Sequence, residues 1–365
     1  MRQDINAKLV GYRDQNIQRA VFIQIDGAPY DIMKKGLEKG YMPHIKRVLK
    51  FGNYKMYKYY SELPSNTPAA QMKLMYGVKG IIKAFRWYNK QEKRHYTFKD
   101  STTAKYWEEE GEKASTGKLL DKGASYINMF SGGAKRNILI FSRMFDTDIK
   151  TRVVNSKIWK FIFLNADFIV KVLTEVAEEF FVEMYEHFKY KMRNMPQRAM
   201  NLFPYVRVCN NVFLKEIATM GAVLEMNEMV DRIYLTYTGY DEVGHQRGPE
   251  TKEALKTLKK IDRSVGKIIK MAKKKGYELY IFSDHGQSST TPFKDIYGKR
   301  LADFIMEKAG IIEERLESAE GENSDFVMIY SLKKLFNLFI FLEKKIMARI
   351  VKKIFKKSVN SIKKD

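Results

Sequence analysis

The sequence predicts an α/β protein with a mostly parallel sheet and a helical insertion, on three observations. Short apolar runs end in turns rich in Asp, Gly and His, helical patterns follow those turns, and one long middle stretch shows helical periodicity with few strand signals. With 45% hydrophobic and 13% aromatic residues in 365, the chain can bury a real core and is not a disordered one.

The first strand is expected in "AVFIQIDGAPYD", which rises through Val21, Phe22, Ile23 and Ile25 to Asp26 and Gly27. A short helix is expected over 42–51, around Pro43. A less regular strand is expected in "YKMYKYYSEL", leading to Thr67, after which Pro68 opens a helical run in the first-turn place that suits proline. Residues 102–230 are expected as the insertion, a helical cap over the strand ends. The strand in "DRIYLTYTGYDEVGH" should end near Asp241, and the one in "YELYIFSDHGQ" at Asp284. Between them, 250–275 carries Ala254, Leu255, Leu258, Ile261, Val265 and Ile268 at three- and four-residue spacing, the pattern of a crossover helix. A right-handed crossover puts both strand ends on the same edge of the sheet. The expected division is a core of 1–101 plus 231–330, the insertion, and a basic C-terminal helix over 331–365.

The formal charge of +23 suits an anionic partner, yet much of it is lysine spread along helical patterns, where it also reads as a solvated surface. The last stretch is more concentrated: from 331 to 365, ten Lys and Arg349 face only Glu343 and Asp365. There Leu335, Phe336, Phe339, Leu342, Ile346 and Ile350 recur at helical spacing opposite the lysines. Packing on the sheet, an anionic membrane surface, or a partner helix or nucleic acid would each explain that pattern. One cysteine, Cys209, excludes an internal disulfide and a cysteine-rich zinc site. With no apolar leader at the N-terminus and no uninterrupted run of about 18 apolar residues, the expectation is a cytoplasmic protein, at most peripheral to a membrane. No helix-turn-helix, zinc-finger or RRM pattern accompanies the charge, so nucleic acid is not expected as the main partner.

The candidate ligands at strand ends are Asp26, Asp241, His245, Asp284 and His285. Residues beyond the carboxyl ends of parallel strands converge on one crevice, so their distance in sequence is no obstacle. Carboxylate and imidazole together suit zinc or a similar divalent ion, and five such groups suggest two ions about 4 Å apart, the pair that clamps a phosphoryl group. Thr67 supplies a candidate nucleophile at a helix N-terminus, where phosphate binds favourably; its hydroxyl needs a metal or base for activation. Each motif alone also has an ordinary reading, as a turn, a solvated loop or a capped strand end. The other histidines, His44, His95 and His187, read as core or surface residues.

Asp26 in "QIDGAPYD", Thr67 in "SNTPAAQ", Asp241 and His245 in "GYDEVGHQRGP", and Asp284 and His285 in "FSDHGQS" together resemble the alkaline phosphatase superfamily, most closely its type I phosphodiesterase/nucleotide pyrophosphatase branch. "GIIKAFRWYNK" also resembles the segment after that branch's nucleophile helix, which makes Asn89 a candidate substrate contact. The resemblance implies a three-layer αβα sandwich and two divalent metal sites, expected to hold zinc. One would be held by Asp26, Thr67, Asp284 and His285. The other would be held by Asp241, His245 and a histidine from nearer the family's C-terminus. It implies attack by Thr67 on a phosphate ester or nucleotide, a phosphothreonine intermediate, and its hydrolysis. No histidine follows His285 here, so a shortened member with one firm metal site is expected. The competing expectation is a catalytically impaired relative that binds a metal or an anionic membrane surface.

Overall fold

The computed structural model describes residues 19–144, 166–192, 203–291 and 293–310. Met1–Ile296 and Tyr297–Asp365 form two compact units. The first is built on five parallel strands: β1 (Ala20–Ile25), β4 (Ala124–Tyr126), β5 (Arg136–Ile138), β6 (Arg232–Tyr237) and β7 (Glu278–Phe282), in the order β5-β4-β6-β1-β7. A separate hairpin pairs β2 (Arg86–Asn89) with β3 (Arg94–Thr97). β1 is an interior strand, pairing Ala20 with Arg232 of β6 on one side and with Glu278 of β7 on the other. It is buried throughout, which is why it reads as an apolar run with one exception, Gln24.

Alternation along the strands divides the core. Phe22 stacks on Tyr234 and Tyr280, and this face packs against α3 (Thr67–Tyr76) and α4 (Ser101–Ala114) through Met72, Met75, Tyr76 and Ala104. On the opposite face the Tyr237 and Tyr126 hydroxyls reach Thr219 and Glu225 of α7 (Lys215–Asn227). α7 packs against α9 (Lys252–Lys275), whose Thr251 cap and buried Leu255, Leu258, Ile261 and Val265 match the expected crossover helix. α1 (Tyr30–Glu38) and α2 (Pro43–Phe51) complete that layer; α2 has no side-chain cap of its own, and Asp262 of α9 accepts from the His44 and Ile45 amides, both at 2.9 Å. The result is helix layers on both faces of a parallel sheet, the expected α/β sandwich.

Three local expectations differ. Residues 54–63 form no strand: tyrosines alternate with lysines there, Tyr54, Tyr57, Tyr59 and Tyr60 are all exposed, and the Tyr59 hydroxyl donates to the Ser283 carbonyl. β4 and β5 fall within 102–230 yet belong to the main sheet, so those segments are core and not insertion; at three residues each they are too short to leave a periodic signal. Thr67, not Pro68, is the first residue of α3, with Asn66 as its cap. The helix expected over 331–365 lies outside the described residues. In the second unit, α10 (Leu301–Ala309) begins with a capping box between Arg300 and Asp303. Among the described residues, no helix is long and apolar enough to cross a membrane.

The rest of the 102–230 stretch is helical. α5 (Ala166–Met192) runs beside α6 (Phe203–Val208), which passes through a π-helical turn, Cys209–Leu214, into α7. α5 turns acids inward: Arg207 pairs with Glu179 and, at 3.2 Å, with Glu183, while Lys260 of α9 also binds Glu179 at 2.6 Å. Burial alone would raise the Glu179 carboxyl, but the Arg207 and Lys260 charges outweigh burial and hold it below its ordinary value of 4.5. The folded protein therefore takes up this proton at lower pH than the unfolded chain. The stabilisation is present in full above 4.5 and is lost as pH falls through the lowered value. Urea midpoints should fall on acidification from about pH 7 to about pH 3, and Glu179→Gln should flatten that fall; an equal fall in the variant would remove Glu179 from the account.

Candidate active site

Because all five strands run parallel, their carboxyl ends share one edge, and the Asp and His residues gather there. Asp26 follows β1 directly, its amide donating to the Tyr237 carbonyl at 3.0 Å. Gly27 then turns with φ +64, and its amide donates to Asp284 Oδ1 at 3.3 Å. The turn beyond β7 is braced by Ser283, whose hydroxyl accepts from the Ala28 amide at 2.9 Å and donates to the His285 carbonyl at 2.6 Å. Tyr59 closes it from outside by donating to the Ser283 carbonyl.

Thr67 meets this cluster from the N-terminus of α3. Its hydroxyl lies 3.2 Å from Asp26 Oδ1 and 3.2 Å from His285 Nε2. His285 Nε2 is in turn 3.7 Å from Asp26 Oδ1 and 3.5 Å from Asp284 Oδ2. Asp26, Asp284 and His285 thus offer three ligand atoms within 4.8 Å of one another. Burial, followed by the charges of Asp284 and Asp241, pushes the Asp26 carboxyl well above the ordinary carboxylate range. Asp284 Oδ2 is buried with no hydrogen-bond partner. Two crowded carboxylates and an orphaned oxygen fit a cation, which would neutralise the repulsion and satisfy that oxygen.

Asp241 is not at a strand end but in the first turn of α8 (Gly239–Arg247), after β6 has stopped at Tyr237. It still joins the cluster: a Cβ on Gly27 would lie 2.1 Å from Asp241 Oδ1, so only glycine admits the carboxylate there. His245 sits one helical turn on, its Nε2 3.3 Å from Asp241 Oδ2, and that hydrogen bond raises its pKa. Gln287, beyond the Asp-His-Gly turn, donates to the Asp241 carbonyl at 3.0 Å and to its carboxylate. Burial and then Asp241 push the neighbouring Glu242 carboxyl up to about 7.

The family described as Type I phosphodiesterase / nucleotide pyrophosphatase matches residues 20–337. The chain belongs to this family. It is therefore a phosphodiesterase/nucleotide pyrophosphatase-type hydrolase, in a family that acts on phosphate-ester or nucleotide substrates and is typically metal-dependent. Among curated proteins none matches the chain. Asn89, the candidate substrate contact of this family member, ends β2, where its Oδ1 accepts from the Gln91 and Glu92 amides at 3.1 and 3.4 Å. Those bonds close the hairpin turn, and no hydrogen bond among the described residues links Asn89 to the Asp–His cluster. His44 packs against Gly266 of α9 and His95 lies tilted against the Tyr88 ring, neither at the cluster.

A buried relay beneath the site escaped sequence reasoning. The Met129 amide donates to Gln71 Oε1 at 2.8 Å, and a backbone N–H can only donate, so Gln71 turns its Nε2 toward Gln24 Oε1, 3.1 Å away. Gln24 Oε1 also accepts from the Tyr234 hydroxyl at 2.6 Å, which leaves Gln24 Nε2 facing Asp26 Oδ1 at 3.4 Å. Gln71 stands one turn after Thr67 on α3, so the relay ties the helix bearing Thr67 to the strand bearing Asp26. The available signal was a glutamine inside each of two apolar runs, AVFIQI and PAAQM. Gln71→Met should cost about 1–3 kcal/mol by orphaning the Met129 amide and weaken zinc retention about 10–100-fold by releasing Asp26. Thermal unfolding and competition with a chromophoric chelator measure the two effects; lost stability with unchanged zinc affinity would reduce the relay to packing.

Proposed function

We propose that the chain hydrolyses phosphodiesters or nucleotide pyrophosphates with divalent metal and Thr67 as nucleophile. The carrying observation is the position of the Thr67 hydroxyl, 3.2 Å from both Asp26 Oδ1 and His285 Nε2 at the start of a ten-residue helix. Asp26, Asp284 and His285, with Thr67, would hold one ion, and Asp241 with His245 would contribute to a second. Zinc suits this oxygen and nitrogen donor set. The bound ions supply Lewis-acid polarisation of the phosphoryl oxygens and a lowered pKa for coordinated hydroxyl groups.

The chain's own residues prepare the attack. Asp26 Oδ1 accepts from the Thr67 hydroxyl and so aims its oxygen lone pairs away from Asp26. In the first turn of α3, Pro68 has no N–H and the Ala69 and Ala70 amides are bonded to Asn66, so the Thr67 amide and the positive end of the helix are what would favour an incoming phosphate's negative charge. Attack of Thr67 Oγ1 on phosphorus forms a P–O bond, breaks the bond to the leaving alcohol or phosphate, and leaves phosphothreonine. Water then cleaves that ester and regenerates Thr67.

The test is hydrolysis of a chromogenic phosphodiester by protein stripped with a chelator and then given zinc. Turnover lost on stripping and restored by zinc is the expected result. A folded protein inactive under both conditions would favour the impaired-relative reading, in which the two-residue set Asp241 and His245 is too weak to hold its ion.

A further inference from the structure

The 27-residue helix α5 is built inside out. Its acids Glu179, Glu183 and Glu186 are buried, Glu179 and Glu183 in ion pairs with Arg207 and Glu183 also with Arg247 of α8. Its apolar residues Val170, Leu173, Phe181, Met184, Phe188 and Met192 are 52–69% exposed. With the exposed Ala177 between Leu173 and Phe181, they follow one another at steps of three and four residues, the seam by which one helix packs on another. A contiguous apolar stripe of this length on a water-facing surface marks an interaction site.

We propose that this face is the interface of a homodimer, formed by α5 of one chain against α5 of a second copy. Three observations select that occupant. The stripe is self-complementary along a single helix, as a two-fold contact requires. Its exposed side chains present roughly 700 Å² per chain, close to the about 800 Å² per partner of a standard interface. Its composition, aromatic and methionine-rich, is that of an interface centre. A lipid surface would need a cationic rim. Among the described residues, the exposed positions bordering the stripe are instead Thr174, Glu178, Tyr185 and His187, and Lys171 and Lys189 are half-buried in ion pairs with Glu216 and Glu186.

The formal charge of +23 opposes self-association, so the dimer should tighten as salt screens that repulsion. Binding to an anionic surface would weaken instead. The experiment is sedimentation velocity of the full chain from about 1 to about 100 μM at low and high salt, beside Phe181→Glu/Phe188→Glu and, in case that double variant misfolds, Met184→Lys. The expected result is a species of twice 42.8 kDa, favoured by salt and weakened at least about 100-fold by either variant. A wild-type chain that stays monomeric at the highest concentration, or variants that dimerise as well as wild type, would overturn the proposal. So would a monomer that co-sediments with phosphatidylserine-containing vesicles through the same phenylalanines, which would assign the face to lipid.

Discussion

Thr67→Ala should lower kcat on a phosphodiester by at least about 10³-fold while the protein keeps its fold. The helix it begins is capped by Asn66, whose side chain accepts from the Ala69 amide at 3.0 Å, so losing the threonine hydroxyl does not uncap α3. What disappears is the single oxygen that touches both Asp26 and His285. Thr67→Ser keeps that oxygen and should keep most of the turnover. Acid quench during turnover followed by peptide mass analysis should find phosphate on Thr67 in the wild type and none in the alanine variant. Metal-dependent turnover that survives Thr67→Ala would transfer the nucleophilic role to water and remove the phosphothreonine from the mechanism.

Asp284→Asn separates metal binding from catalysis. The amide keeps an oxygen for the Gly27 N–H but replaces the buried Oδ2, which has no hydrogen-bond partner, with a neutral donor beside Asp26. Without metal, the variant should be at least as stable as wild type, because one of the charges that crowds Asp26 is gone. With zinc at about a hundred times its dissociation constant, wild type should gain about 2.7 kcal/mol, or roughly 3–5 °C in Tm for a protein of this size. The variant should gain little of this. An undiminished zinc shift in Asp284→Asn would place the ion elsewhere and leave the orphaned oxygen unexplained.

The strand-and-turn motifs were legible because they are local. A buried parallel strand must be apolar, a tight turn after it selects Asp-Gly or Asp-His-Gly, and the lysine-backed stripe of 250–275 admits only a helix against a core. Asp26, Asp284 and His285 could therefore be named from the chain alone. Asp241 was named for the right region but the wrong element, since nothing local shows that β6 stops four residues before it. β4 and β5 were hidden for a related reason: three residues, held in β4 by β5 and β6 and in the edge strand β5 by β4, are too few to show a periodicity of their own. The strand expected over 54–63 erred the other way, because alternating Tyr and Lys imitates a half-buried strand where no partner is paired.

The sequence by itself determined the fold class, the family, and the residue types available for chemistry at the strand ends, since each follows from patterns a few residues long. Tertiary structure alone decided which of those residues touch: that Thr67 reaches Asp26 and His285, that Gly27 leaves room for the Asp241 carboxylate, and that Asn89 closes a hairpin. It also revealed the Gln71–Gln24 relay and the outward apolar face of α5. These depend on register and packing between segments up to 257 residues apart, as for Gly27 and Asp284, and such contacts leave no trace in local periodicity.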